Sequence, residues 1–280
     1  MANTYSSSLV TQMLSDGFIS TAQNRLAPFS AVSRNFGVDP MKPLAVVQVP
    51  LATSGATTQT NPTTFGGGNS TVTNVQVTLA HYHQPFHVSH TDLQNGMRLA
   101  QIIDVNVGKF CDKLVDIFLA PVTVANFTNT PVTAASASFD IDDIRTLYNS
   151  IKTANVKSII LDSDYYARFA IQNDTQNRGV SVTGWGNFYE NTRWTGAGSN
   201  VKGFAFGMDS IAIAAGSTIV GPGASDAGVK ETPITLPGIG LTVQAFQWFD
   251  PATRNLNASF DVMFGSAAGD TTVGTIVKSA

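Results

Sequence analysis

Charge is what this chain has least of. Only 12% of its 280 residues are Asp, Glu, Lys or Arg, about half the roughly 25% usual for soluble domains. Two readings fit so little charge, and composition leaves both open. Either much of the surface lies against other protein, because interface centres are depleted of charge, or a Thr-rich β protein takes its surface polarity from hydroxyls. The charges present nearly cancel, with a formal net charge of −3 and a pI near 5.7, so nothing favours a grip on nucleic-acid phosphates. Any DNA nearby is contained, not bound. The first forty residues carry only Arg25 and Arg34 against Asp16 and Asp39, which excludes a basic arm of the kind that neutralises packaged RNA.

Cysteine is nearly absent as well. Cys111 is the only one, which excludes an intrachain disulfide, and its helical apolar neighbours place it in a core. Long apolar runs are missing: the longest, around Ile211 to Ala215, is far too short to span a bilayer. No basic start followed by an apolar stretch opens the chain, so the expectation is a protein made and kept in cytoplasm, with no membrane partner. A Gly-x-Ser-x-Gly nucleophile elbow is absent. The run Gly221 to Gly228 has the look of a phosphate cradle, but the Lys-Ser/Thr and the helix that a cradle needs do not follow it. It reads as a surface turn. Asp142 with Asp143, and Asp162 with Asp164, stand where helix starts favour carboxylates, and that structural role outweighs acid–base or metal chemistry. Triplets such as Asn126-Phe127-Thr128 arise by chance in so Thr-rich a chain and are not read as glycosylation.

What is present suffices for a core, since 43% of the residues are hydrophobic, enough for one large or two modest domains. Residues 1–40 mix a short apolar periodicity (Leu9, Val10, Met13, Leu14, Phe18) with Ser, Asn and Pro. They read as a weak helix inside an extended arm that lies on something else. A strand from Leu44 to Leu51 and a longer one from Val72 to Val88, with Val75, Val77 and Leu79 on one face, make a long hairpin. Between them, Ala52 to Thr71 holds no ionisable residue. Loops beyond about 12 to 15 residues are uncommon and usually functional, so a projecting hairpin with a polar tip is expected.

At Ser89 the period changes. Leu93, Met97, Ala100, Ile103, Val107, Phe110, Leu114 and Ile117 define one helical face, giving a single long helix over 91–119. Ser89 or Thr91 caps it and Pro121 stops it. Gly96 and Gly108 inside it predict bending or close packing, because Gly costs about 1 kcal/mol there relative to Ala. A second helix starts at Asp140, with Phe139 stapling onto Ile144, Asp143 at the third position and a stripe of Ile141, Ile144, Leu147, Tyr148 and Ile151. Val156 to Leu161 reads as a buried strand, and Asp162-Ser163-Asp164 caps a third helix carrying Tyr165, Tyr166, Phe169 and Ala170. Residues 173–200, with Trp185, Tyr189 and Trp194, read as loops around irregular β structure. The clearest alternation closes the chain: Leu256, Ala258, Phe260, Val262 and Phe264 share a face, and the strand pairs with 240–249 across an Asp250-Pro251-Ala252-Thr253 turn.

This α+β order of polar arm, projecting hairpin, long helix, compact mixed unit and closing hairpin resembles the Hong Kong 97-type capsid fold of tailed double-stranded DNA phage major capsid proteins. The text that carries the likeness runs from Val77-Thr78-Leu79 through Phe86-His87-Val88-Ser89 into the long helix. It continues in Phe139 to Leu147, Gly203-Phe204-Ala205-Phe206-Gly207 and Asp261-Val262-Met263-Phe264-Gly265. The resemblance implies an N-terminal arm at 1–40, an extended β-hairpin loop at 41–84, a peripheral domain with its spine helix at 85–129, an axial domain at 130–235, and a closing hairpin of the peripheral domain at 236–280.

It further implies a structural subunit that is not an enzyme and takes no cofactor. Such subunits form pentamers and hexamers of an icosahedral shell around a double-stranded DNA genome, assembled in host cytoplasm and kept in the virion. Assembly contacts then fall on the loop tip (Thr53, Thr57, Gln59, Phe65, Gly67, Asn69) and on the arm (Leu9, Met13, Phe18, Arg25, Arg34). Expected partners are copies of the chain, a separate scaffolding protein, a portal and a cement protein. Some members of the family join a loop Lys to a neighbour's Asn. Here Lys42, at the loop's base, is the only Lys before the spine helix, so no covalent cross-link is expected. The alternatives are an encapsulin-like cargo compartment of the same fold, a tail-tube or decoration protein, which the long helix opposes, and a metal-dependent enzyme.

That last alternative rests on His81, His83, His87 and His90, which are all the histidines the chain has. The first three share strand parity, and imidazoles on one face can bind zinc or copper. Nearby sequence adds no Cys, and no carboxylate before Asp92. Polar interface residues, sensitive to pH, are the favoured reading.

Overall fold

The computed structural model describes residues 7–40, 42–54, 70–89, 92, 96–168, 185–192, 200–218 and 228–280. In chain order, helix α1 (Ser7–Arg25) and strand β1 (Ser33–Pro40) precede a hairpin of β2 (Val46–Ser54) and β3 (Ser70–Thr78), then β4 (Ala80–Val88) and the long helix α2 (Gly96–Leu119). A mixed unit follows, with β5 (Val132–Thr133), α3 (Ile141–Ser150), β6 (Lys157–Asp162), β7 (Asn187–Asn191) and β8 (Val201–Gly207). The chain ends with β9 (Ile211–Ser217), β10 (Lys230–Thr235), β11 (Thr242–Asp250), β12 (Asn255–Ala268) and β13 (Gly274–Lys278).

Among the described residues the strands form three sheets. The largest runs β1-β9-β12-β11-β10 with β4 also paired to β12, the second runs β5-β13-β8-β6-β7, and β2 pairs only with β3. β12 is the hub because its 14 residues are long enough to pair β11 and β4 along one part and β9 along the other. Its turn from β11 is closed by Asp250, whose carboxylate accepts from the Ala252 amide and the Thr253 hydroxyl, which holds it below the usual carboxylate range. The alternation expected on β12 holds, with Ala258, Phe260, Val262 and Phe264 buried on the inner face. Its other face is covered too, since Ser259, Asp261 and Met263 are also buried.

The inner face of the large sheet meets both long helices. Phe18 of α1 packs on Phe260 and Phe110, and Phe29 packs on Phe264 and Phe118, with ring centroids 5.1 to 6.2 Å apart. α2 spans roughly 36 Å at 1.5 Å per residue, and Ser89 lies at its approach, its hydroxyl accepting from the Asp92 amide. Ile103, Val107, Phe110 and Leu114 are buried as the periodicity predicts, but Ala100 is exposed and the stripe continues through Leu99 and Phe118. Gly108 is not where the helices pack most closely. A Cβ there would meet the Arg25 guanidinium of α1 at 3.4 Å, an ordinary van der Waals contact, whereas one on Gly17 would come within 2.9 Å of Ile103.

The second sheet is sandwiched. Ile160, Phe204, Phe206 and Ile276 face the main core, while Ile159, Leu161, Ala205 and Val277 face α3. Burial on both sides is why β6 reads as an unbroken apolar run. α3 begins with the capping box that Asp140 and Asp143 predict. Ile144, Leu147 and Ile151 are buried beneath it, but Ile141 points outward at 41% exposure. Backbone at 163–168 is helical, as expected.

Three expectations change. Residues 7–40 are not an extended arm laid on another molecule, because α1 and β1 are built into this chain's own core and large sheet. The strand expected over 72–88 is two, broken at Leu79, where its amide turns to the Ala45 carbonyl and its carbonyl accepts from Leu44. Alternation persists across the break, so sequence does not reveal it. Sheet membership also divides the chain otherwise than 130–235 against 236–280: β9 and β10 lie in the large sheet and β13 in the second. The chain crosses between sheets after β8 and again after β12.

Candidate assembly site

The β2–β3 ribbon contains no ionisable side chain. Its register runs unbroken from Val46 opposite Thr78 to Ser54 opposite Ser70, a length of roughly 30 Å. One face is apolar at its base. Val49 and Val77, with Leu79 beyond the strand end, bury against Ala212, Ala214 and Met263 on the outer face of the large sheet, with Val47 and Val75 packed beside them. Gly265 allows this crossing, because a Cβ there would collide with the Thr78 carbonyl oxygen. The opposite face leaves Val46 and Val72 exposed, with Asn74 donating to Gln48 Oε1 between them. At the root, Leu44 is 77% exposed with φ of +65°, a conformation that costs a non-glycine residue roughly 1–2 kcal/mol. A two-stranded ribbon is marginal alone in water, and the large sheet supports the face that carries Val49 and Val77.

The tip residues Thr57, Gln59, Phe65, Gly67 and Asn69 lie outside the described residues; Thr53 belongs to β2, paired with Thr71. The arm set is scattered in role. Phe18 is fully buried within the subunit, which corrects its assignment to an intersubunit contact: its ring is held by Phe110 and Phe260 of the same chain. Met13 packs half-buried against that core. Arg25 pairs with Asp112 at 2.7 Å, and Arg34 is exposed and reaches the Gly238 carbonyl at 3.5 Å. Leu9 lies on α1.

His81, His83 and His87 sit on β4, at the flank of β12. His83 stands directly opposite Asp261 in the register, and His81 opposite Met263. His83 Nδ1 lies 2.9 Å from Asp261 Oδ1, His81 Nε2 lies 2.8 Å from Oδ2, and the Ser259 hydroxyl donates to Oδ1 at 2.7 Å. Asp261 corrects the expectation that no carboxylate joins the cluster. It comes from 178 residues away from His83, and the alternation of β12, which puts Asp261 on the face opposite Phe260, is the one signal that hints at it. His87 stands apart, exposed and opposite Asn257, and His90 lies outside the described residues. The 221–227 turn lies outside them too.

Neither a protein-family model nor a curated protein matches the sequence. Among solved structures the chain is similar to the virus-like particle from Pyrococcus furiosus, with a TM-score of 0.57 at 10% identity over 96% of this chain and 98% of that one. It is similar also to the capsid of an empty GTA particle, with a TM-score of 0.51 at 14% identity over 93% and 97%. The chain has a Hong Kong 97-type capsid fold. Coverage near the full length of both chains means that this capsid fold includes the hairpin, the long helix and the closing strands together, as the resemblance in element order implies.

Proposed function

We propose that this chain is a shell subunit, a major capsid protein that assembles into pentamers and hexamers around double-stranded DNA. The observation that carries the reading is the uncharged β2–β3 ribbon on a capsid fold, docked by one face through Val49 and Val77 and exposing Val46 and Val72 on the other. A ribbon laid across the next subunit supplies a heterologous contact, and such contacts close into rings. Many weak contacts per subunit then act together, because leaving the shell requires breaking several at once.

In this reading 41–84 is the extended loop, α2 the spine of the peripheral domain, and the unit around α3, β6 and β8 the axial domain. The loop tip from Thr53 to Asn69 makes the intersubunit contact, joined by the exposed Arg34. A separate scaffolding protein, a portal and a cement protein are the proposed partners, and the virion, assembled in host cytoplasm, is the location. The subunit performs no catalysis. With Lys42 alone available near the loop, the shell is held noncovalently. Co-expression with the neighbouring scaffold and portal genes, followed by sedimentation and nuclease digestion, tests this. Fast-sedimenting particles that protect double-stranded DNA are expected, and particles that hold only a cargo enzyme point to a storage compartment instead.

A further inference from the structure

We propose that His81, His83 and Asp261 bind one divalent transition-metal ion of the zinc or copper class on the outer face of the large sheet. One donor atom from each residue, two imidazole nitrogens and a carboxylate oxygen, lies within 4.8 Å of the other two. In a tetrahedral site with bonds of about 2.0 Å, donor atoms stand roughly 3.3 Å apart. The nitrogens now lie 2.8 and 2.9 Å from the carboxylate oxygens, so those distances open by a few tenths of an ångström on binding, while the two exposed imidazoles, whose donor atoms lie within 4.8 Å of each other, rotate about their side-chain bonds to close on the ion.

The backbone presets this arrangement. His81 and His83 are two apart on β4 and share a face, and the β4–β12 register puts Asp261 directly across from His83. Donors carried on paired strands hold their geometry better than donors on loops. The Ser259 hydroxyl, itself buried, donates to Asp261 Oδ1 and fixes the carboxylate from behind, the role that outer hydrogen bonds play around metal ligands. Exposure grades across the trio: the Asp261 side chain is 8% exposed, those of His81 and His83 41% and 43%. The carboxylate is therefore the floor and the imidazoles the rim, with a coordination position open outward for water or a further donor.

Chemistry selects the ion. Magnesium and calcium prefer all-oxygen sites, whereas two imidazoles and one carboxylate suit zinc, copper, nickel or cobalt. Among the described residues no Lys or Arg pairs with Asp261, so no fixed cation competes for the floor of the site. On binding, each ligating nitrogen gives its lone pair to the ion, and any proton it shares with Asp261 passes to the other ring nitrogen or to solvent.

The test is calorimetric titration of the full, unassembled chain, stripped with a chelator, with zinc chloride, and with cobalt chloride followed by visible absorption. One zinc per chain and cobalt bands typical of a four- or five-coordinate nitrogen–oxygen site are expected. His81→Gln and His83→Gln each weaken zinc by at least about tenfold, and His87→Gln leaves it unchanged. Both substituted rims are solvent-facing, so these variants fold, and their circular dichroism verifies it. Zinc binding that is absent, or that survives the His81→Gln/His83→Gln double variant, overturns the proposal. Because the unassembled chain is titrated, the outcome is independent of whether it forms shells.

Discussion

The arm and the hairpin look alike in sequence and end up opposite in structure. Both are poor in charge, and neither carries enough apolar surface for a core of its own. α1 nevertheless lies under the large sheet with Val10, Leu14, Phe18 and Ala22 buried, while β2–β3 docks by one face through Val49 and Val77 and leaves Val46 and Val72, on its other face, in solvent. The difference lies in what each face finds. The α1 stripe meets Phe110 and Phe260 of the same chain, whereas the ribbon face that carries Val46 and Val72 turns away from the large sheet and leaves both exposed. A segment without its own core is therefore either an internal brick or an external strap, and only the complementary surface decides which.

Truncation should expose that contrast most strongly. Phe18→Ala should cost the unassembled subunit about 3–5 kcal/mol in urea unfolding, while Val72→Ala, on the open face of the ribbon, should stay within about 0.5 kcal/mol. Comparable losses at the two sites would erase the distinction between brick and strap. A methyl at Gly265 should do less and act locally. Gly265→Ala drives a Cβ into the Thr78 carbonyl and should cost roughly 1–3 kcal/mol, with amide exchange accelerating in β2 and β3 and not in α1.

Cys111 reports on whether α1 stays docked. Burial pushes its thiol up to about 12, so the native chain should resist alkylation, and Phe18→Ala should restore it. The sign of the pH effect follows from the proton count. Above the ordinary thiol value of 9.0 the unfolded chain loses a proton that the folded chain keeps until about 12, so stability falls as pH rises through that window. Between pH 9 and pH 10 the loss should be about 1 kcal/mol relative to a Cys111→Ala variant. The smallest stability effect belongs to the tip. Deleting residues 56–68 should leave the urea midpoint of the subunit unchanged and abolish assembly; a destabilised subunit would show that the tip belongs to its core.

Much of this was legible because local signals and tertiary outcome agree. Asp140 and Asp143 cap α3, Ser89 lies at the approach to α2, and the β11–β12 alternation carries through its turn to the observed register. The burial of α1 was legible in part: Val10, Leu14, Phe18, Ala22 and Leu26 recur at intervals of four, but the Ser, Gly and Asn between them mask the stripe. What stayed hidden is nonlocal. Nothing near Leu79 marks the break that sends β4 to a different sheet, since alternation is identical on either side. Asp261 joins His81 and His83 only through the register of β12, and sequence separation conceals such pairings.

Electron microscopy of the full-length chain, produced with and without its scaffold, tests the central claim most directly. Uniform closed shells built of five- and six-fold capsomers, with no covalent ladder after boiling in detergent, are the predicted result. Monomers throughout, under assembly conditions with scaffold present, would contradict it.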